Sequence, residues 1–202
     1  MVGNVLNITA IAIELLQKLL REKDSLHMTV THVKLASEVD SQNLINTIEN
    51  STKDLDLLWA VSRPGIPITY LHVLYAFYQT LKAFALNKNI SNKFNIEFLL
   101  RLTCEDQIAE ALKIAGLSKK TKSFCLYSIS SNSMALKTLF SRLTSLFKEL
   151  TVNLPSCCYG NNLLMELKIG SEELASTNYQ SSTLSPELKS ILTRMSLLNI
   201  RK

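Results

Sequence analysis

Apolar residues recur at steps of three and four from 68 to 89. Leu71, Leu74, Tyr78, Leu81 and Ala85 fall on one face of a 3.6-residue spiral, and His72, Gln79 and Lys82 on another. The spacing predicts one long helix over 68–89, with Pro67 ahead of it and Asn87 and Asn89 suited to leaving it in the left-handed conformation. The period then changes. Phe94, Ile96, Phe98, Leu100 and Leu102 alternate with Asn95, Glu97, Leu99 and Arg101, which predicts a strand over 94–102. Thr103-Cys104-Glu105-Asp106 reads as an acidic variant of the capping box, opening a short helix through Ile108, Ala111, Leu112 and Ala115 that Gly116 and Leu117 stop in a Schellman turn. A basic loop from Lys119 to Lys122 leads to a short apolar run, 124–129, typical of a buried strand. A parallel, right-handed relation between the two predicted strands is allowed, because a helix lies between them.

The flanks add further elements. Leu6, Ala10, Ile13, Leu16, Leu19 and Leu20 mark an amphipathic helix within 5–20. Glu14 and Gln17 make it too polar to span a bilayer, and the first basic residue, Lys18, comes too late for a secretory signal. It reads as an added packing helix or, alternatively, as one that docks on a partner or a membrane surface. Met28, Val30, His32 and Leu35 begin a strand, Asp40 opens a helix carrying Leu44, Ile45 and Ile48, and 55–61 is short enough for a strand before the turn at Arg63-Pro64-Gly65. Asn132 or Ser133 caps a helix with Leu136, Leu139, Phe140, Leu143, Leu146 and Phe147 on one stripe. Residues 150–154 read as a short strand closing at Pro155, 163–169 as either strand or helix, and the polar stretch 170–182 as a linker. The last helix starts cleanly at Ser185, Pro186 and Glu187, and its stripe is Leu188, Ile191, Leu192, Met195 and Leu198. The expected fold is α/β: a single compact domain, a mixed β-sheet packed with several helices, and an extra N-terminal helix. Residues 1–26 form an amphipathic extension to a domain at 27–202.

Composition narrows the chemistry. With 202 residues, 47% of them hydrophobic and 19% charged, the chain has the make-up of a globular domain. A net charge of +5 permits contact with phosphate or an acidic partner without demanding it. The four cysteines form no C-x-x-C pair, and Cys157 and Cys158 are adjacent, so Cys104, Cys125, Cys157 and Cys158 are expected to be reduced thiols that hold no zinc. The three histidines show no H-E-x-x-H spacing, so no metal site is expected. None of the five glycines forms a phosphate-cradling loop, and no G-x-S-x-G elbow is present. Glu105-Asp106 and Glu172-Glu173 sit where helix dipoles explain them. No nucleophile, base and orienting group stand out as a set, so neither a cofactor nor catalysis is expected.

One stretch carries a resemblance. Asn89-Ile90-Ser91-Asn92-Lys93-Phe94-Asn95-Ile96-Glu97-Phe98-Leu99-Leu100-Arg101-Leu102, followed by Gln107-Ile108-Ala109-Glu110-Ala111-Leu112-Lys113-Ile114-Ala115-Gly116-Leu117, resembles the PRPK-binding protein (TPRKB) family. The likeness runs more loosely from about His27 to the end, including Arg194-Met195-Ser196. The resemblance implies a non-catalytic regulatory subunit of the KEOPS/EKC complex, cytoplasmic and nuclear, with no membrane partner. Such a subunit binds and activates a PRPK-like atypical kinase with ATPase activity, meets the other subunits indirectly, and helps recruit tRNA by its 3′ tail for threonylcarbamoyladenosine (t6A) modification.

The resemblance also places kinase binding on the last helix, at Leu188, Ile191, Leu192, Met195 and Leu198, as an apolar stripe left open until a partner covers it. For tRNA, Lys82, Lys88, Asn89, Ser91 and Lys93 offer donors to phosphates and base edges around the turn after the long helix. The alternative is a small α/β enzyme whose site is assembled from dispersed residues. Copurification with a kinase favours the first reading, and a deep polar pocket with perturbed side chains the second.

Overall fold

The computed structural model describes residues 2–20, 26–147, 151–153, 159–160, 162–178 and 183–198. Four strands, β1 (His27–Asp40), β2 (Leu58–Ser62), β3 (Lys120–Ser130) and β4 (Thr151–Asn153), form one sheet in the order β2-β3-β1-β4. All three pairings are antiparallel, so among the described residues the sheet has no parallel pair. The class is the expected one, mixed α/β with helices packed on a sheet.

The period of two along β3 decides where the cores lie, because successive side chains of a strand point to opposite faces. Cys125, Tyr127 and Ile129 enter one apolar cluster, and Phe124 and Leu126 enter the other. The first cluster is closed by α1 (Val2–Leu20), α3 (Tyr70–Ala85), α4 (Phe94–Thr103) and α9 (Pro186–Leu197), with Ile114 and Ala115 of α5 (Ile108–Ala115) and Leu163 of α7 (Asn162–Glu166). The second is closed by Leu44 and Ile48 of α2 (Ser41–Thr52) and by Ala135, Leu136, Leu139 and Leu143 of α6 (Ser133–Leu146). Ala12 and Leu15 carry α1 into the same core as α3.

The caps explain many boundaries. Asp40 accepts from the Asn43 N–H at the start of α2, Asn132 from Met134 at the start of α6, and Ser185 from Leu188 at the start of α9, where Pro186 occupies the first turn. The helix expected over 68–89 is shorter, Tyr70–Ala85, and Thr69 caps it. Asn87 does leave it left-handed, at φ 53°, while its N–H reaches Phe84 O and that of Lys88 reaches Ala83 O. Its inward face is Val73, Ala76, Phe77, Leu81 and Phe84, with His72 and Gln79 also buried, whereas Leu71 is exposed.

Residues 94–102 are the main correction: they are helix α4, not a strand, and do not join the sheet. Phe94, Phe98 and Leu102 also satisfy a step of four, and so do Glu97 and Arg101, which pair across one turn. The helix is buried almost all round, so its polar residues mark no solvent face and the alternation carried no information about sheet. Phe98 packs between Phe77 at 4.6 Å and Tyr127 at 5.1 Å between ring centroids.

Thr103 to Asp106 is not a capping box. Cys104 stands left-handed at φ 59° and ends α4 in a Schellman stop, with its N–H on Arg101 O and that of Glu105 on Leu100 O. Gly116, expected in that role for α5, is extended instead. Much of the expected linker is helix α8 (Ser171–Thr177), while 179–182, Pro155, Cys157 and Cys158 lie outside the described residues. Cys104 is a buried thiol, but Cys125 is disulfide-bonded, which overturns the expectation that all four cysteines are reduced.

His72 ties the start of α3 to the end of α4. Its Nδ1 accepts from Ile68 N–H at 3.3 Å, which leaves Nε2–H to donate to Leu102 O at 3.0 Å. Burial lowers its pKa to about 4, against the raising effect of the Leu102 carbonyl. Between the ordinary value of 6.5 and that value the unfolded chain binds the proton and the folded chain does not. Stability is therefore full above pH 6.5 and falls as pH drops toward 4, by about 1.4 kcal/mol per unit and about 3 kcal/mol in all. Urea unfolding of His72→Gln between pH 7 and 4 should show a flatter slope than the natural chain by that amount. An identical slope would remove His72 as the cause.

Candidate functional site

Of the two groups singled out by the sequence, the one expected to bind a kinase lies on α9, and the one expected to bind tRNA lies at the end of α3 and in the turn after it. That turn is built around one carboxylate. Glu97, on α4, is fully buried and accepts from Ile90 N–H at 2.7 Å and Ser91 N–H at 2.9 Å. Arg101, one helical turn on and also buried, donates from Nε at 3.0 Å and from its terminal nitrogen at 2.6 Å to the other oxygen. The carboxylate thus receives bonds on both oxygens, which is what a charge out of water requires. The loop is held to the helix as a result, and Lys88, Asn92 and Lys93 project outward from it.

Of the five residues expected to face tRNA, Lys82, Lys88 and Lys93 are exposed and Asn89 is half-buried. Ser91 is not available to a ligand. It is buried, its hydroxyl accepts from the Lys93 N–H at 3.2 Å, and its carbonyl accepts from the Asn89 side chain at 3.1 Å. It shapes the turn. The ammonium of Lys82 stands 5.9 Å from the Tyr78 ring, and Tyr78 stacks on Tyr75 at 5.8 Å.

The apolar stripe of α9 is in a different place from the one expected. Leu188, Ile191, Met195 and Leu198 are buried, Ile191 and Met195 completely, and Leu192 lies at the margin of the first core. The expectation of an open stripe is thereby corrected: the helix turns it inward, against α3 and α4. Cys104 Sγ donates to Ile191 O at 3.7 Å, and Tyr75 and Ser196 join their hydroxyls at 2.7 Å. On the other side Arg194 grips Glu173 of α8 through two nitrogens, at 3.0 and 2.6 Å, and donates to Leu167 O at 3.0 Å. That guanidinium is the main reason the Glu173 carboxyl stays below its ordinary range.

What remains open on this side is a seam between the start of α3 and the end of α9. Leu71 is 46% exposed and Leu197 41%, and Tyr75, Leu192 and Ser196 are half-buried on the same two helices. Sequence reasoning grouped Leu71 with Leu74, Tyr78, Leu81 and Ala85 on one face of the helix and passed over Tyr75 and Leu197. For Leu71 and Tyr75 the one legible signal was the spacing of Leu71, Tyr75, Tyr78 and Lys82, whose steps of four, three and four put Lys82 on the same line of the helix as Leu71 and Tyr78 rather than on another face. Among the described residues no group of three or more His, Cys, Asp or Glu could hold a metal ion, and no helix is long and apolar enough to cross a membrane.

A family model described as kinase binding protein CGI-121 matches residues 30–167. A comparison with curated proteins finds no match. The matched span holds the sheet, α3, α4 and the 88–93 turn, and ends before α8 and α9.

Removing the charge of Glu97 tests how firmly the turn is held. Glu97→Gln leaves Arg101 buried without its counter-charge, and should lower unfolding free energy by about 3–5 kcal/mol. Amide exchange at Ile90 and Ser91 should speed up more than at Leu100. Unchanged protection there would show that the carboxylate does not fix the turn.

Proposed function

The chain belongs to the CGI-121 family of kinase binding proteins, and on that basis we propose that it is the non-catalytic kinase-binding subunit of a KEOPS/EKC-type complex. In this reading it docks and activates a PRPK-like atypical kinase in the cytoplasm and nucleus. It also helps present tRNA, by its 3′ tail, for t6A modification. The observation that carries the kinase part is the α3–α9 seam, where Leu71, Tyr75, Leu192 and Leu197 offer apolar and aromatic surface on two braced helices. Interfaces concentrate their energy in such aromatic and aliphatic anchors. Leu192 is the member of the expected stripe that still reaches this surface, and the buried members act by shaping it.

The tRNA part is supported by the other end of α3. Lys82, Lys88 and Lys93 supply positive charge around a turn that Glu97 holds in place, and Tyr78 beside Lys82 supplies a ring on which a splayed base stacks. The helix rises about 1.5 Å per residue, so Leu71 and Lys82, the outer members of the two surfaces, stand about 16 Å apart along it. The surfaces adjoin at Tyr75 and Tyr78, whose rings stack at 5.8 Å.

Each part has its own test. Leu71→Asp with Leu197→Asp changes two exposed positions, so the fold should survive while copurification of the kinase is abolished. Ile191→Glu, in contrast, forces a charge into the core and should unfold the chain. Kinase binding that survives the double variant at full strength would place the interface elsewhere. Lys88→Glu with Lys93→Glu should weaken tRNA binding at low salt and reduce its logarithmic salt slope by about 0.7 for each phosphate the variant no longer neutralises. Kinase binding should be unaltered, and a tRNA affinity equal to that of the natural chain would remove this turn from the nucleic-acid surface.

A further inference from the structure

We propose that a second docking site, separate from the α3–α9 seam and the lysine turn, takes an acidic, leucine-bearing linear segment of a partner protein in the cavity between α5 and the start of β3. The cavity holds about 600 Å3, within the usual range of roughly 300–1,000 Å3 for built ligand sites. It exists because the β1–β3 ladder is interrupted. Lys34 pairs with Ser123 and Val39 with Thr121, so four residues of β1 bulge out opposite a single residue, Lys122. Glu38, at the end of the bulge, lines one side, and the second half of α5 and the turn after β2 line the others.

Its charge is one-sided. Arg63, Lys113, Lys120 and Lys122 face it against the single carboxylate of Glu38, a formal +3 from four minus one. These cations come from three separate elements, which the fold rather than a run of sequence brings together. Arg63 and Lys113 also touch Glu166 at 2.9 Å and Glu110 at 3.5 Å, but both pairs are exposed and such pairs are weak enough to exchange. The rest of the lining is mixed: Leu112, Leu117 and Pro64 supply an aliphatic part beside Gly116, Ser118, Thr121 and Ser123. Leu112 is 41% exposed, and Ile108, one turn before it on α5, is 39% exposed.

That combination selects the class of partner. A single-stranded nucleic acid needs rings on which bases stack, and no aromatic residue lines the cavity. Carboxylates match the four cations, and a branched apolar side chain beside them matches Leu112, Leu117 and Pro64, as acidic motifs do in basic grooves. The site shares no residue with either surface assigned above, so it stands whether or not those assignments hold.

The test uses the full chain and a fluorescein-labelled peptide of alternating glutamate and leucine, read by anisotropy. An all-glutamate peptide of equal length and an oligouridylate are the comparisons. The alternating peptide should bind, and binding should weaken as salt rises through the range where the screening length falls to about 8 Å. Lys113→Glu with Lys122→Glu should weaken it by about tenfold or more. Leu112→Ser should weaken it by about fivefold while leaving the all-glutamate peptide unaffected. Absence of binding, equal binding by the variants, or an oligouridylate that binds more tightly and is released by the same charge reversal would each overturn the proposal. Kinase copurification should be unchanged in both variants, and its loss would merge the cavity with the kinase surface and overturn it as well.

Discussion

A buried carboxylate with four donors around it sets the geometry on which both candidate surfaces of α3 depend. Glu97 receives the backbone N–H groups of Ile90 and Ser91 on one oxygen and the guanidinium of Arg101 on the other. A buried pair of this kind adds little net stability over an apolar one, because desolvation offsets the attraction. What it adds is position. The backbone bonds fix where the chain runs between α3 and α4, and α4 in turn seats Phe98 between Phe77 and Tyr127 and carries Cys104 to the backbone of α9. Loss of the carboxylate would therefore be felt in the turn, the aromatic core and the last helix together.

The two halves of the α3 surface are built by different means. At its start, the seam with α9 is braced by neutral hydroxyls, Tyr75 to Ser196, while the outer side of α9 is held by the Arg194–Glu173 clamp. At its end, charge dominates, with Lys82, Lys88 and Lys93 standing over a loop whose own polar groups are already satisfied. Groups engaged inside the fold, such as Ser91, are closed to a partner. The lysines stand in solvent, and their energy in contact with a polyanion depends on salt.

How much of this the sequence made legible follows from the range of each interaction. The caps at Asp40, Asn132 and Ser185, the left-handed exit at Asn87 and the strand at 124–129 rest on neighbours within a few residues, and local pattern reveals them. Helix α4 satisfied a period of two and a step of four at once, and burial on all sides removed the polar face that would have separated them. The α9 stripe was legible as a stripe. Periodicity cannot say what covers it, and Ile191 meets Cys104 across 87 residues of chain. Likewise α8 has a polar, linker-like composition and is tied down by Arg194, 21 residues from Glu173. Tyr75 and Ser196, which frame the seam, needed 121 residues of chain to be folded before they met.

Strand β3 separates two cores that are not interchangeable. One side receives Phe124 and Leu126, the other Cys125, Tyr127 and Ile129, and the hydroxyl of Tyr127 finds Ser62 at 2.7 Å. A slip of one residue during folding would present each core with the other's side chains at once, leaving a phenol in an apolar layer with no hydroxyl to meet it. The strand therefore acts as a proofreader with two independent readings of the same register, and a misaligned chain fails on both sides of the sheet rather than on one.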